Sequence, residues 1–235
     1  MTKGEVLFEG KAKIMYATED PDKVIVYFKD DATAGNGEKR GTIQDKGIIN
    51  NKISEYFFKL LKTNGINSHF IERISDREMV VKMLRMIALE VVVRNVAAGS
   101  LAQRLGLEEG TPLKVPVLEY FYKNDAMNDP MLNRYHIMAI DIARVHELDE
   151  IEHIAFCVNT ILQNTLRAKN VDLIDFKLEF GRDERDKIIL ADEISPDNCR
   201  FWDMATHEKL DKDRFRHDMG GVEEAYKEML TRLTM

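Results

Sequence analysis

The stretch DFKLEFG at residues 175–181 alternates between charged and apolar side chains. Such alternation is typical of a β-strand, because successive side chains of a strand point to opposite faces. The phenylalanines and the leucine would enter a core, whereas Asp175, Lys177 and Glu179 would form a charged row on the other face. This row has two interpretations: it is the solvated side of an antiparallel sheet, or it lines a functional site.

The composition limits the kinds of protein to consider. The 235 residues, 44% apolar and 32% charged, are enough for one large or two small globular domains. The two cysteines, Cys157 and Cys199, lie far apart in sequence, which argues against a disulfide scaffold and favours a reducing compartment. Without a basic-then-apolar leader or an apolar run of roughly 20 residues, we expect a cytoplasmic protein with no membrane partner. A net charge of −7 without a basic stripe disfavours nucleic acid as a partner.

Short apolar runs between turn residues predict a small antiparallel sheet in the first part of the chain. One helix interrupts these runs, with Thr42 and Asp45 as its N-cap and N3 pair and Asn64 followed by Gly65 as its stop. We expect this helix to pack across one face of the sheet. The predicted strands are 6–9, 14–17, 24–29, 70–74 and 79–83.

A near-continuous apolar run at 89–96 predicts a buried strand and begins the second part of the chain. Helical spacing then predicts a short helix at 101–105, a long helix at about 147–169 and a final helix at about 221–233. The predicted fold class is α+β, with a first domain at 1–85 and a larger sheet-and-helix domain at 86–235.

The hairpin after DFKLEFG brings two carboxylates together. If 184–187 form a four-residue loop, Asp183 pairs with Ile188 and Glu179 lies opposite Asp192. Directly paired carboxylates repel each other unless a cation or a shared proton lies between them. Mg²⁺ that also holds substrate phosphates would remove the conflict, but a register slip of one residue would turn Asp192 away.

The segment FEGKAKIMY at 8–16 offers positive charge to a phosphate. Gly10 permits a tight turn, and Lys11 and Lys13 would point the same way on an extended strand. The layout is similar to the glycine turn that covers ATP in kinases, and the alternative is a solvated hairpin with two surface lysines.

Arg94 interrupts the apolar strand within LEVVVRNVAAGSL at 89–101, so a partner for its buried charge is expected. Gly99 and Ser100 begin the short helix that follows, where free N–H groups favour an anion. With Arg200 from SPDNCRFWD, these residues would form a cradle for a phosphate. An internal arginine–carboxylate pair with Ser100 as an N-cap is the alternative.

Five motifs occur in one order along nearly the whole chain: GKAK at 10–13, VVRNVAAGSL at 92–101, KNDAMNDP at 123–130, DFKLEFG, and ADEISPDNCRFWD at 191–203. In this order and spacing they resemble the SAICAR synthetase family of purine biosynthesis. The resemblance implies an ATP-dependent ligase that joins L-aspartate to the carboxylate of carboxyaminoimidazole ribonucleotide (CAIR), giving SAICAR, ADP and phosphate. It also implies Mg²⁺, an active site in the cleft between two α+β layers, and often a homodimer.

The resemblance further implies roles for individual residues. Lys177, with Lys13, would act on the reacting carboxylate and phosphate groups. The chain departs from the family pattern at Asn36, where an Asp is common, and at Ala88, where a Pro is usual. The remaining assignments are Gly10, Lys11, Ala12 and Lys13 for the ATP phosphates; Lys82, Met83 and Leu84 for adenine; Arg94, Ser100 and Arg200 for the CAIR phosphate; and Glu179 and Asp192 for Mg²⁺.

Other functions stay open at the level of the residues. A small-molecule kinase would use the same glycine turn, lysines and carboxylates, and a nucleotide-binding regulator would bind ATP without turnover. The histidines show no HExxH or His-Cys clustering and no GxSxG occurs, which disfavours zinc and serine hydrolases.

Overall fold

The chain up to Lys82 forms a five-stranded antiparallel sheet, a separate two-stranded hairpin and one helix. In the computed structural model, residues 2–235 are described, except for the side chain of Asn36, so the expectation about that side chain lies outside the described residues. All the strands predicted for this part are confirmed to within one residue at each end, whereas the hairpin was not predicted. The elements are β1 (Val6–Glu9), β2 (Lys13–Ala17), β3 (Lys23–Phe28), β4 (Asp31–Ala34), β5 (Lys39–Thr42), α1 (Lys46–Thr63), β6 (Phe70–Arg73) and β7 (Glu78–Lys82). The sheet order is β1-β2-β3-β7-β6, and β4 pairs with β5.

The helix α1 begins later than the sequence predicts. Asp45, at φ 63°, is its N-cap residue, and the prediction of Thr42 as N-cap is wrong because Thr42 still pairs within β5. The helix packs against β3 and β6, as predicted. Its buried side chains also belong to the main apolar core, where the ring of Phe57 lies 6.3 Å from that of Phe201. The helix therefore links the first sheet to the rest of the chain.

The second part of the chain forms a six-stranded sheet covered by helices. The predicted strand and the predicted helices are present, and β9, β10, β13, α3 and α5 were not predicted. The elements are β8 (Arg85–Val96), α2 (Gly99–Leu105), β9 (Pro112–Tyr122), β10 (Met131–Leu132), α3 (Arg134–Ala139), α4 (Val145–Arg167), β11 (Val171–Arg182), β12 (Ile188–Ala191), β13 (Cys199–Asp203), α5 (Asp213–Arg216) and α6 (Val222–Thr234). The order is β10-β9-β8-β11-β12, with β13 also paired to β11.

The α+β class is confirmed. The last strand of the first sheet ends at Lys82, and the first strand of the second sheet begins at Arg85. The division into domains at residue 85 stays a prediction, because side chains of α1 share one core with strands of the second sheet. None of the helices described between residues 2 and 235 has the length and apolar character needed to cross a membrane.

The predicted pairing of Glu179 with Asp192 is wrong by one residue. Glu179 lies opposite Ala191, and Arg182 lies opposite Ile188, so the loop has one residue more than predicted. The cause is Asp183, whose carboxylate accepts hydrogen bonds from the backbone N–H groups of Arg185 and Lys187, both at 2.9 Å. These bonds draw Asp183 out of the strand and into the turn.

Candidate active site

The charged row of DFKLEFG does not face solvent, and the solvated-face interpretation is wrong. Asp175 and Glu179 are only 3% and 6% exposed, while the phenylalanines and the leucine of the opposite face lie in the main core. Strands β8 and β13 flank β11, so Asp175 pairs with Arg94 on one side and with Arg200 on the other. The row is therefore enclosed by neighbouring strands and must be balanced by charge.

Lys177 balances the row by contacting several carboxylates. Its Nζ lies 2.6 Å from Glu179, 3.1 Å from Glu90 and 3.3 Å from Asp192. Glu90 is the residue of β8 directly opposite Glu179, so the two carboxylates that face each other across the sheet have a cation between them. Two further lysines contact the same group of acids, which we call the lysine–carboxylate cluster: Lys13, Lys123, Lys177, Glu90, Glu179, Asp192 and Glu193.

The side chain of Asp192 contacts this cluster, although the register of β12 alone would direct it to the opposite face of the sheet. It follows the last residue of β12 and has φ 62°, a left-handed conformation that is uncommon for a residue other than glycine. This conformation changes the direction of the side chain, which contacts both Lys13 and Lys177. The sequence thus predicted the convergence of Glu179 and Asp192 correctly but gave the wrong geometry for it.

Burial and charge act against each other within the cluster. Burial alone would lower the pKa of Lys177, but Glu179, Asp192 and Glu90 outweigh it, and the pKa is raised well above its ordinary value. The pKa of Lys13 is raised in the same way by Asp192 and Glu193. Burial would raise the pKa of Asp192, but Lys13 and Lys177 hold it far below the usual range. The cluster therefore consists of charged groups that neutralise one another.

The glycine turn lies at the edge of the cluster. The Gly10 N–H donates to the Lys13 carbonyl at 2.9 Å, which closes the turn between β1 and β2. The lysines do not share one partner, because Lys11 lies 3.1 Å from Asp125 while Lys13 contacts Asp192 and Glu193. Both lysines reach across from the first sheet to residues of the second part of the chain. Ala12 lies between them, and its carbonyl accepts a hydrogen bond from the Lys29 N–H.

A cavity of about 310 Å³ opens beside Lys177 and Glu90. Its walls include Arg94, Arg200 and Arg216, so it is suited to an anion. Arg94 and Arg200 are the residues that the sequence assigned to a phosphate cradle, whereas Arg216 was not assigned.

Both interpretations of Arg94 describe part of its surroundings. The guanidinium binds Glu119 at 2.6 Å and Asp175 at 2.8 Å, so the internal pair exists, and it also lies in the cavity wall. Its third contact is Ser100, whose hydroxyl accepts a hydrogen bond at 3.2 Å. Ser100 is not the N-cap of α2, because that position belongs to Ala98.

Arg200 is held by two aspartates and by close packing against a glycine. It lies 2.9 Å from Asp175 and 2.8 Å from Asp213. Gly99 has φ 52°, and a Cβ at this position would lie 2.7 Å from a terminal nitrogen of Arg200. Glycine is therefore required where α2 begins, which agrees with its place in the AAGS turn.

Arg216 and Asp197 are cavity residues that the sequence did not identify. Arg216 contacts Asp213 at 2.5 Å, and Lys46 and the Tyr226 hydroxyl each lie 2.7 Å from Asp197. The segment DKDRFR at 211–216 could have indicated these residues. It holds five charged side chains within six positions, and any of them that become buried need partners of opposite charge.

A second cavity, of about 270 Å³, is lined by Lys82, Met83 and Leu84, the segment assigned to adenine. Asp183 of the β11–β12 turn forms part of the opposite wall. The Met83 N–H already donates to the Asp22 carbonyl at 2.8 Å. Backbone contact with adenine would therefore use other groups of this segment.

Enclosed charge of this kind suits an enzyme that holds several anionic reactants against one another. The fold and the site thus define the class: an α+β enzyme that acts on phosphorylated substrates, with its charged groups gathered where the two sheets meet.

Comparison with known proteins gives the particular family. The family model for SAICAR synthetase matches residues 6–233, and the chain belongs to this family. It is 58% identical over 234 residues to the phosphoribosylaminoimidazole-succinocarboxamide synthase of Clostridium kluyveri, covering 100% of this chain and 99% of the relative. The corresponding enzyme of Coprothermobacter proteolyticus is 56% identical, with 99% of both chains covered.

Solved structures agree with this assignment. A phosphoribosylaminoimidazole-succinocarboxamide synthase from Ehrlichia chaffeensis superimposes with a TM-score of 0.96 at 45% identity, covering 98% of each chain. A SAICAR synthetase in complex with ADP gives a TM-score of 0.95 at 52% identity, covering 98% of this chain and 97% of that one. The chain is therefore an ATP-dependent ligase of purine biosynthesis, and the kinase alternative is not favoured.

Proposed function

We propose that this ligase joins L-aspartate to the carboxylate of CAIR, with ATP as the co-substrate, and releases SAICAR, ADP and phosphate. The observation that carries the proposal is the position of Lys177, which belongs to the lysine–carboxylate cluster and also lines the arginine-walled cavity. A carboxylate bound in that cavity would meet the phosphates of ATP at Lys177.

The reaction needs ATP because a carboxylate is a poor acylating agent. Transfer of the terminal phosphoryl group to a CAIR carboxylate oxygen gives an acyl phosphate and ADP. The aspartate amine then attacks the acyl carbon, phosphate leaves with the C–O electron pair, and the amine loses a proton. The protein mainly positions the reactants and neutralises their charge.

Lysines supply the neutralising charge. Lys13, with Lys11 on the same turn, would bind the ATP phosphates, and Lys177 would bind the CAIR carboxylate and the phosphoryl group transferred to it. Since Lys13 and Lys177 are each held by acids before substrate arrives, their side chains are already directed into the site. Gly10 and Ala12 would present the turn's backbone to the phosphates.

The residues fit Mg²⁺. Glu179 and Asp192 contact the same ammonium of Lys177, so their arrangement already requires a cation between them. Mg²⁺ commonly binds one or two protein carboxylates together with substrate phosphates, and Glu179 and Asp192 could supply the protein's share. When bound, Mg²⁺ would offset the negative charge that develops during phosphoryl transfer.

The arginine-walled cavity would bind the ribonucleotide phosphate. Arg94, Arg200 and Arg216 line it, and the hydroxyl of Ser100 accepts a hydrogen bond from Arg94. A guanidinium can bind two phosphate oxygens at once, so this wall gives both affinity and orientation. The cavity of Lys82, Met83 and Leu84 would take adenine.

The test is an assay with labelled aspartate, CAIR and MgATP, followed by the mass of the product. We expect ADP release that depends on both CAIR and aspartate, and a product containing both. ADP release with a single phosphoryl acceptor and no amine would instead indicate a kinase, and ATP binding without turnover a regulator. Two expectations stay predictions: the homodimer, which the family resemblance implies, and the cytoplasmic location, which the composition indicates. Sedimentation equilibrium checks the first.

A further inference from the structure

His69 lies where the two sheets meet and was not assigned a role by its sequence context. It is 7% exposed, and its ring packs edge-on against Phe58 with 5.4 Å between ring centroids. Its backbone N–H donates to the Leu190 carbonyl, and its carbonyl accepts from the Lys82 N–H, both at 2.8 Å. These contacts fix the position of the residue between β7 and β12.

The imidazole makes one polar contact that concerns the site. Its Nε2 lies 2.9 Å from the backbone carbonyl oxygen of Asp192. A carbonyl oxygen can only accept a hydrogen bond, so Nε2 carries the hydrogen and donates it. The edge-on contact with Phe58 keeps the ring in the plane that makes this bond.

The accepting carbonyl belongs to a residue with an unusual backbone. Asp192 has φ 62°, a backbone angle that residues other than glycine rarely adopt. The register of β12 alone would direct its side chain away from the site. Such a conformation persists only where the surroundings hold it. The bond from His69 holds the peptide unit directly after the Asp192 Cα and so restricts that conformation.

We infer that His69 is a positioning residue for Asp192. Its Nε2–H fixes the Asp192 carbonyl, which keeps the backbone left-handed and aims the carboxylate at Lys13 and Lys177. The inference rests on the proposed function, in which that carboxylate binds Mg²⁺. His69 itself touches no reacting atom and acts through Asp192 alone.

Matched substitutions separate this role from packing. In His69→Gln, the side-chain amide reaches about as far as Nε2 and can donate the same hydrogen bond, whereas the shorter amide of His69→Asn cannot reach it. We expect His69→Asn to weaken divalent-cation binding by about 10- to 100-fold, the usual effect of losing a group that orients a ligand, and His69→Gln to stay near wild type. His69→Leu, which keeps apolar volume without a donor, should behave like His69→Asn.

The readout is Mn²⁺ binding to the enzyme in the presence of ADP, followed by electron paramagnetic resonance, with thermal unfolding and the KM for CAIR measured alongside. A weaker Mn²⁺ affinity in the Asn and Leu variants, restored in the Gln variant, supports the inference. Equal effects of Gln and Asn, an unchanged Mn²⁺ affinity in all variants, or a rise in the CAIR KM as large as the loss of metal affinity would overturn it. Because Mn²⁺ binding needs no turnover, a failure of the proposed reaction would be seen separately in the product assay.

Discussion

The ammonium of Lys177 donates a hydrogen bond to Oε1 of Glu179 at 2.6 Å, two residues along the same face of β11. A divalent cation bound by Glu179 would compete with this lysine for the carboxylate. If the cation also took Asp192, Lys177 would keep only Glu90 of its three carboxylate partners, and its positive charge would be available to another anion. The phosphates and carboxylates of the substrates are such anions, and the site is therefore arranged for an exchange of ionic partners.

This exchange leads to the first prediction. Glu179→Ala and Asp192→Ala should each abolish most turnover, because each would remove one of the two ligands proposed for Mg²⁺. Both variants should stay folded, since Lys177 keeps Glu90 and one other acid as partners. Rates measured across a range of Mg²⁺ concentrations check the prediction, with Glu150→Ala on the exposed side of α4 as a control. Normal activity of either variant at limiting Mg²⁺ would rule out the metal assignment.

Lys123 carries the second prediction, because the KNDAMNDP motif brings its side chain into contact with Glu179. If Glu179 holds Mg²⁺ in the substrate complex, Lys123 would lose this contact, and its ammonium would be available to the ATP phosphates. Lys123→Met should then raise the KM for ATP about 10-fold or more, the loss of one charged hydrogen bond, with a smaller effect on CAIR.

The matched control is Lys114→Met, which removes an exposed lysine near the start of β9, the strand that Lys123 follows. Steady-state kinetics with each substrate varied in turn give the comparison. An unchanged KM for ATP in Lys123→Met would show that Lys123 only neutralises Glu179 in the free enzyme.

Local patterns predicted most of the fold because they depend on neighbouring residues. The alternation in DFKLEFG and the apolar stripe of α4 each specify one buried face, and both are confirmed. Strand β9 was missed although VLEYFY at 117–122 is an almost continuous apolar run. Pro112 begins the strand and Pro116 interrupts it, and a proline inside a run argues against a strand.

The structure brings together Lys13, Lys177, Glu179 and Asp192, which the sequence singled out, but their geometry was not predictable. The register depended on where the Asp183 carboxylate finds its hydrogen bonds, and the convergence of Asp192 depended on one left-handed residue. Neither feature produces a periodic signal. Arg216 was missed for another reason, since its partner Asp213 also binds Arg200, and such sharing exists only after β13 and α5 have packed together.

A third prediction concerns pH and stability. Glu147 at the start of α4 is bound by Arg182, which lowers the pKa of its carboxyl to about 2. A carboxyl whose pKa is lower in the folded state stabilises the protein above its unfolded value, near 4.5, and loses that contribution as the pH falls towards 2. Glu147→Gln should thus lower the free energy of unfolding at pH 7 by about 1.5 to 3 kcal/mol, and by roughly half as much at pH 3, where the unfolded carboxyl is protonated but the folded one is still mostly ionised.

Urea unfolding of both proteins at the two pH values checks this expectation. Glu150→Gln, on the same helix but exposed, should show no such pH-dependent difference. A Glu147→Gln deficit that is the same at both pH values would mean that packing around the side chain, rather than its charge, supplies the stability.

The last prediction separates a structural role from a binding role for arginines of the cavity that we propose binds CAIR. Arg94 is almost fully buried and holds Glu119 and Asp175, so Arg94→Met should lower the free energy of unfolding by about 1.5 to 3 kcal/mol as well as weaken CAIR. Arg216 is more exposed, and its partner Asp213 keeps Arg200. Arg216→Met should therefore raise the KM for CAIR about 10-fold with little change in stability or in the KM for ATP. Urea unfolding and the two KM values distinguish these cases, because a group that only supports the fold would affect ATP and CAIR equally.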